Sequence, residues 1–412
     1  MKITDIQSHK TKALSLCMFV SCMLLVYVLN YNPFITETYM PSAVRIVIEG
    51  FVLILLVMIN LRYRYLADII WLFPIFLIFS CILLLDIDTY LKLISSFNKF
   101  IFLVLTIGML CGNSKVLNVL IKIWVLLWYF LCVMAILAVV GYATKTISFS
   151  PMNLSEGSYY YLSNPLIGNL SPKTLFGFDF VQVTGFIYEG GLLGVFLGLN
   201  ILAARDWIDD SKKQKRFIQL NFIAGIITLS TTFFLFFGIY LLAKQVFGEK
   251  KLKISIKVFV FLSLSTLFII TLIGLNYFEQ TSAIARLDNL IRILDFFFEN
   301  GSWSTFLFGN GLGITITVFE QGVVAGWIAI LVERGAIMLI LIVTFYTIHT
   351  KHNPWLMLFV FYANFAFNLF WAPSFLLVVA MSYACNKHKK SALISATNTL
   401  HLGKLCKSHR IA

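Results

Sequence analysis

Val116 to Val140 reads VLNVLIKIWVLLWYFLCVMAILAVV, an apolar run with one charge, Lys122, in its first third. A helix of this length reaches about 37 Å at 1.5 Å per residue, more than the roughly 30 Å of a bilayer's hydrocarbon core. Reading outward from it in both directions, the same texture returns at 13–29, 42–60, 66–85, 93–112, 183–204, 256–275 and 326–348. The 412-residue chain is 59% hydrophobic and 12% charged, about half the charge of an ordinary soluble domain. A water-soluble fold of that composition would expose more apolar surface than water tolerates. The expected class is therefore all-α: a polytopic transmembrane helix bundle, with residues 1–412 forming a single integral membrane domain.

Two longer apolar stretches, 217–247 and 354–385, are too long for one span and short for two. Charge resolves the first. Arg205 to Arg216 before it and Lys244 to Lys257 after it are both strongly basic. Basic flanks stay on the cytoplasmic side, so the stretch must turn back, with Ser230-Thr231-Thr232 as its outer turn. The second has a natural break at Trp371-Ala372-Pro373, where proline cannot continue a helix. Reading both as hairpins gives about twelve spans with both termini cytoplasmic. This arrangement places 24 of the 32 Lys and Arg residues inside.

It also leaves two long extracytoplasmic loops, 142–182 and 276–325. Ala13 to Leu29 is read as a retained first helix, because Tyr27-Val28-Leu29-Asn30 offers no small-residue cleavage site. The formal charge of +13 sits in short segments between apolar runs, a membrane pattern and not a nucleic-acid surface. The seven cysteines lie in spans or basic segments, with neither disulfide nor metal spacing.

The ionisable residues inside the runs share a depth. Counted from the outer ends, Arg45 and Glu49 lie in span two, Lys99 in span four, Glu189 in span six, and Glu333 and Arg334 in span ten. Helical rise places them roughly 5–14 Å below the outer ends of their helices. Charges in hydrocarbon usually face a bundle interior or a wet cavity. The competing explanation is a structural ion-pair network, since Arg45 and Glu49 are one turn apart. Glu189 stands in Thr184-Gly185-Phe186-Ile187-Tyr188-Glu189-Gly190-Gly191, where glycines let backbone or ligand come close. A partly desolvated carboxylate there suits a general base; a Glu paired with Arg45 or Arg334 is the alternative.

In the second loop, Ala285 to Phe298 has the apolar spacing of an amphipathic helix lying at the interface. Arg286 and Arg292 are on its polar face, and arginine holds phosphate oxygens in a bidentate fork. Asp288 and Asp295 flank Arg292, leaving Arg286 the freer of the two. Phe308-Gly309-Asn310-Gly311-Leu312-Gly313 is a tight turn; with no lysine after it, it is a poor nucleotide loop. All six histidines fall on the cytoplasmic side of this topology.

These pieces resemble bacterial O-antigen and capsule polymerases, within the wider O-antigen ligase/polymerase superfamily. The matching segments are Thr184-Gly185-Phe186 to Glu189, Thr228-Leu229-Ser230, Arg286 to Arg292, Leu307-Phe308-Gly309-Asn310-Gly311 and Leu331-Val332-Glu333-Arg334-Gly335. Their order and spacing carry the resemblance over residues 184–340. The chain departs from relatives that place an arginine just after the hairpin serine, since Thr231 and Thr232 follow Ser230.

The resemblance implies a glycosyltransferase of the cell inner membrane. It would join undecaprenyl-pyrophosphate-linked oligosaccharide repeat units at the outer leaflet, with neither metal nor cofactor. Glu189, Arg286 and Arg292 would be catalytic, while Arg45, Lys99, Glu333 and Arg334 would bind substrate. Membrane lipid, a chain-length regulator and a flippase would be its partners. Related ligases depend on an external histidine, which this sequence lacks. A flippase of lipid-linked oligosaccharide is the alternative of a different class, but no repeated halves are visible.

Overall fold

The computed structural model describes residues 3–29, 42–63, 87–154, 159–175, 178–187, 189–248, 254–274, 291–292, 295–296, 299, 301–311, 326–367, 369–370 and 372–408. The apolar run 66–85, Arg286 and most of the segment 276–325 lie outside them.

Among the described residues, four long helices come first: α1 (Ile3–Leu29), α2 (Ser42–Tyr63), α3 (Ile87–Gly112) and α4 (Ser114–Ala143). A single residue separates α3 from α4. Asn113 makes that possible, because its side chain accepts from the Lys115 and Val116 amides at 3.1 and 3.2 Å and caps the new helix. Asn60 of α2 donates to the Leu105 carbonyl of α3 at 3.0 Å, and Tyr27 of α1 stacks on Phe102 of α3 with ring centroids 3.9 Å apart.

A small sheet then interrupts the helices. Strands β1 (Ser150–Leu154), β2 (Tyr159–Asn164), β3 (Gly168–Leu175) and β4 (Phe178–Gly185) form an antiparallel meander in chain order. Among the described residues β2 pairs with β3 as far as Leu170, so Pro172, opposite Val181 of β4, lies beyond the last of those pairs, where a residue without an N–H is better tolerated.

The remaining helices are α5 (Gly190–Trp207), α6 (Ser211–Ile227), α7 (Thr231–Gly248), α8 (Ile254–Gly274), the short α9 (Trp303–Phe308), α10 (Gly326–Thr350), α11 (Pro354–Ala366) and α12 (Pro373–Ser408). α5 is the core element, buried on every face between Leu193 and Ala204. Small residues let its neighbours approach: a Cβ at Gly198 would lie against the rings of Phe359 and Phe237, and one at Gly194 against Ser230. A buried polar chain ties three helices together. Trp124 of α4 donates to Asn200 of α5 at 3.0 Å, Asn200 to Asn221 of α6 at 3.2 Å, and Asn221 to the Phe217 carbonyl at 2.9 Å.

The molecule is predominantly helical, and three described helices are long and apolar enough to cross a membrane: Val44–Leu61 within α2, α4 (Ser114–Ala143) and α10 (Gly326–Thr350). The outward stripe of α2 is apolar, with Ile46, Val47, Ile54, Met58 and Leu61 all exposed, as a lipid-facing surface requires. Both ambiguous stretches break where a turn was expected. The first breaks at Thr228-Leu229-Ser230, two residues earlier than Ser230-Thr231-Thr232, and Thr231 already opens α7. In the second, Pro373 starts α12, consistent with its fixed φ and absent N–H at a helix start.

Candidate functional site

The motifs singled out in the sequence meet in two pairs. The first pair lies on α10. Gly335 has φ 80° and ψ 172°, so the helix ladder stops inside α10 and restarts after it. The carbonyls freed by the break are taken up by the glycine turn. The Asn310 amide donates to the Val332 carbonyl at 2.8 Å, the Asn310 side chain to the same oxygen at 3.2 Å, and the Gly311 amide to the Glu333 carbonyl at 3.2 Å. Broken backbone at membrane depth survives only when protein or water satisfies it in this way. The two chains touch so closely that a Cβ at Gly309 would collide with the Glu333 carbonyl, and one at Gly335 with the Leu307 carbonyl. Segment 301–311, within the second long loop, is therefore fastened directly to the residues carrying Glu333 and Arg334.

The second pair lies at the start of α5. β4 ends at Gly185 in the left-handed region, φ 61°. The chain then turns into Glu189, the N-cap of α5, with extended backbone and no side-chain capping bond. Glu189 thus stands at the mouth of its helix; its expected place inside span six, below the outer end of the helix, does not hold, because β4 occupies the first part of run 183–204. Its carboxylate folds over Gly191, where an added Cβ would lie 3.1 Å from Oε1 and 2.7 Å from the Phe367 ring.

The turn between α6 and α7 closes over this corner. Gln182 of β4 donates to the Thr228 carbonyl at 2.6 Å, Lys173 of β3 to the Leu229 carbonyl at 3.3 Å, and Ser230 to the Gly191 carbonyl at 3.5 Å. Sequence reading missed Lys173 and Gln182, which sit in a segment taken for a plain loop.

The ionisable residues of the spans also converge. Arg334 is 5% exposed and Glu49 9%; Lys99, Glu189 and Glu333 are half-buried, and Arg45 and Arg292 are exposed. The charges of Glu49, Arg45 and Arg334 all act on the Lys99 ammonium, and Glu333 acts on Arg334. Three helices, α2, α3 and α10, thereby bring three cations, Arg45, Lys99 and Arg334, and two carboxylates, Glu49 and Glu333, into one electrostatic cluster. Arg286 lies outside the described residues.

Both pairs occupy one end of the bundle. Phe367, against Gly191, follows α11, and Trp327 at the start of α10 donates to the Phe361 carbonyl of α11 at 2.9 Å. The opposite end holds a separate polar group: Asp206 at the end of α5 meets Ser382 of α12, His352 at 3.4 Å and Asn353 at 3.2 Å, while Lys389 pairs with Asp209 at 3.0 Å. No protein-family model, no characterised protein and no solved structure matches this chain.

Proposed function

We propose that the chain is a polysaccharide polymerase of the cell inner membrane. It would cross about twelve times with both termini cytoplasmic and join undecaprenyl-pyrophosphate-linked repeat units at the outer leaflet. The observation that carries this reading is the meeting of Arg45, Lys99 and Arg334 at the end of the bundle that also holds Glu189. A lipid pyrophosphate needs cations placed below a membrane surface, and a sugar acceptor needs a carboxylate nearby.

In this reading Arg286 and Arg292, on the loop fastened to α10, hold the pyrophosphate from above, and Arg45, Lys99 and Arg334 hold it from within. Glu333 keeps Arg334 in place. Stabilising charge on the departing pyrophosphate supplies much of the rate, and Glu189 activates or orients the acceptor hydroxyl.

The test is deletion and complementation read on a glycan ladder. Loss of the gene is expected to abolish long chains while single units still reach the cell surface. Glu189→Gln and Arg286→Ala are each expected to fail to restore them. Full-length chains from both variants would refute the site assignment. Absence of single units outside would favour a flippase instead.

A further inference from the structure

Glu49 does something in this cluster that a structural ion pair does not explain. It lies on the inward stripe of α2 with Val52, Leu56 and Asn60, all buried. Its Oε1 is closed to solvent and accepts no hydrogen bond among the described residues. A buried carboxylate is costly unless donors satisfy it, and Arg45, one turn away on α2, is itself exposed. Among the described residues, the charged groups gathered with Glu49 are Arg45 on its own helix, Lys99 on α3 and, through Lys99, Arg334 on α10. α1, also packed on α2, carries no charge between Ala13 and Leu29. An ionised carboxylate only accepts hydrogen bonds. What completes it must donate a hydrogen bond, and the neighbouring cations favour an anion beside it. A sugar hydroxyl next to a pyrophosphate has that chemistry.

We propose that Glu49 is a catalytic carboxylate, taking the proton of the acceptor sugar hydroxyl. This rests on the polymerase reading above and divides the work of its two carboxylates: Glu49 accepts the proton, and Glu189, at the mouth of α5, orients the acceptor. As the acceptor O–H bond breaks and its proton passes to Oε1 of Glu49, the acceptor oxygen forms the new bond to the anomeric carbon of the donor. The bond from that carbon to the pyrophosphate oxygen breaks, and its electron pair leaves on the pyrophosphate beside Arg45, Lys99 and Arg334. Glu49 then gives up its proton to water that enters as the product leaves.

The deletion strain supplies the substrate, because lipid-linked single units extracted from it can be offered to the purified full-length chain in detergent. Elongation is measured against pH, and undecaprenyl pyrophosphate binding is measured separately. Glu49→Gln is expected to slow elongation by about 10²-fold or more, the usual weight of a general base. It should retain undecaprenyl pyrophosphate binding and lose the acidic limb of the pH profile. Glu49→Asp is expected to keep part of the rate with that limb displaced. Elongation by Glu49→Gln within threefold of the unaltered chain overturns the proposal. If Glu49→Gln does not fold, an Asp variant with full rate and an undisplaced limb overturns it equally. Should the unaltered chain fail to lengthen the units at all, the polymerase reading falls, and this inference with it.

Discussion

Gly335 is the residue on which the α10 break depends. At φ 80° it holds a backbone conformation that a side chain resists, and any Cβ would also strike the Leu307 carbonyl. Gly311 has φ 101° but open space around it. The two glycines therefore separate backbone strain from collision. Gly311→Ala is expected to cost about 1–3 kcal/mol, the range for a residue held in a sparsely populated region. Gly335→Ala should cost clearly more, as the turn at 308–311 is pushed off the carbonyls of Val332 and Glu333. Thermal unfolding in detergent checks this: equal midpoints for the two variants would mean that the contact with Leu307 is not tight. Trp124→Phe belongs to the same scale. It leaves Asn200 Oδ1 without its indole donor, and a loss of about 1 kcal/mol is expected, within the span of buried polar bonds between membrane helices. Added loss from Asn221→Ala in the same molecule should be less than additive, since both belong to one chain of hydrogen bonds.

At the scale of elements, the four-stranded sheet acts on the α6–α7 turn. Leu229 sits at φ 47°, a conformation leucine adopts only when its surroundings fix it. Lys173 and Gln182 fix it by donating to the carbonyls of Leu229 and Thr228. Lys173→Met together with Gln182→Leu should leave the sheet paired yet speed hydrogen exchange at 228–233 by about tenfold or more, since local opening tracks the bonds that close it. Unchanged exchange there would show that packing of Phe233 alone holds the turn. The turn itself was legible in the sequence, because basic segments on both sides of 217–247 demanded a reversal. The sheet was not. Its strands are short, Tyr159-Tyr160-Tyr161 reads equally as an interfacial belt, and only the turn residues Asn164-Pro165 and the alternation Phe180-Val181-Gln182-Val183 hinted at strands. The same blindness misplaced Glu189: hydropathy counts Val183, Phe186 and Ile187 with the helix they precede, and cannot see that Gly185 ends a strand. The fastening of Gly309-Asn310-Gly311 to Glu333-Arg334-Gly335 was invisible for another reason, as it joins segments through backbone bonds that leave no pattern in side-chain chemistry.

For the whole molecule, α5 is the ruler. Its 18 residues span about 27 Å by helical rise, close to the thickness of a hydrocarbon core. Glu189 caps one end; Asp206, with His352, Ser382 and the Lys389–Asp209 pair, marks the other. In the proposed topology the second end is cytoplasmic, with Arg205 to Arg216 and Lys387 to Lys390 flanking it as the positive-inside pattern asks. The sheet and the corner holding Glu189 then face outward, where lipid-linked sugars are displayed in the proposed reaction. Two exposed leucines test this without disturbing the core: Leu166, at the β2–β3 turn, is 79% exposed, and Leu393, on α12 beyond the apolar part, is 70% exposed. In a chain whose seven native cysteines have been replaced by serine or alanine, Leu166→Cys should react with a membrane-impermeant maleimide in intact spheroplasts. Leu393→Cys should react only after the membrane is opened. The reverse result would put the Glu189 corner in the cytoplasm, away from the outer leaflet, and the polymerase reading would fail. Labelling of both sites from outside would mean an even number of crossings between them, against the odd number that two hairpins give, so that one of the two ambiguous stretches would cross once instead of turning back.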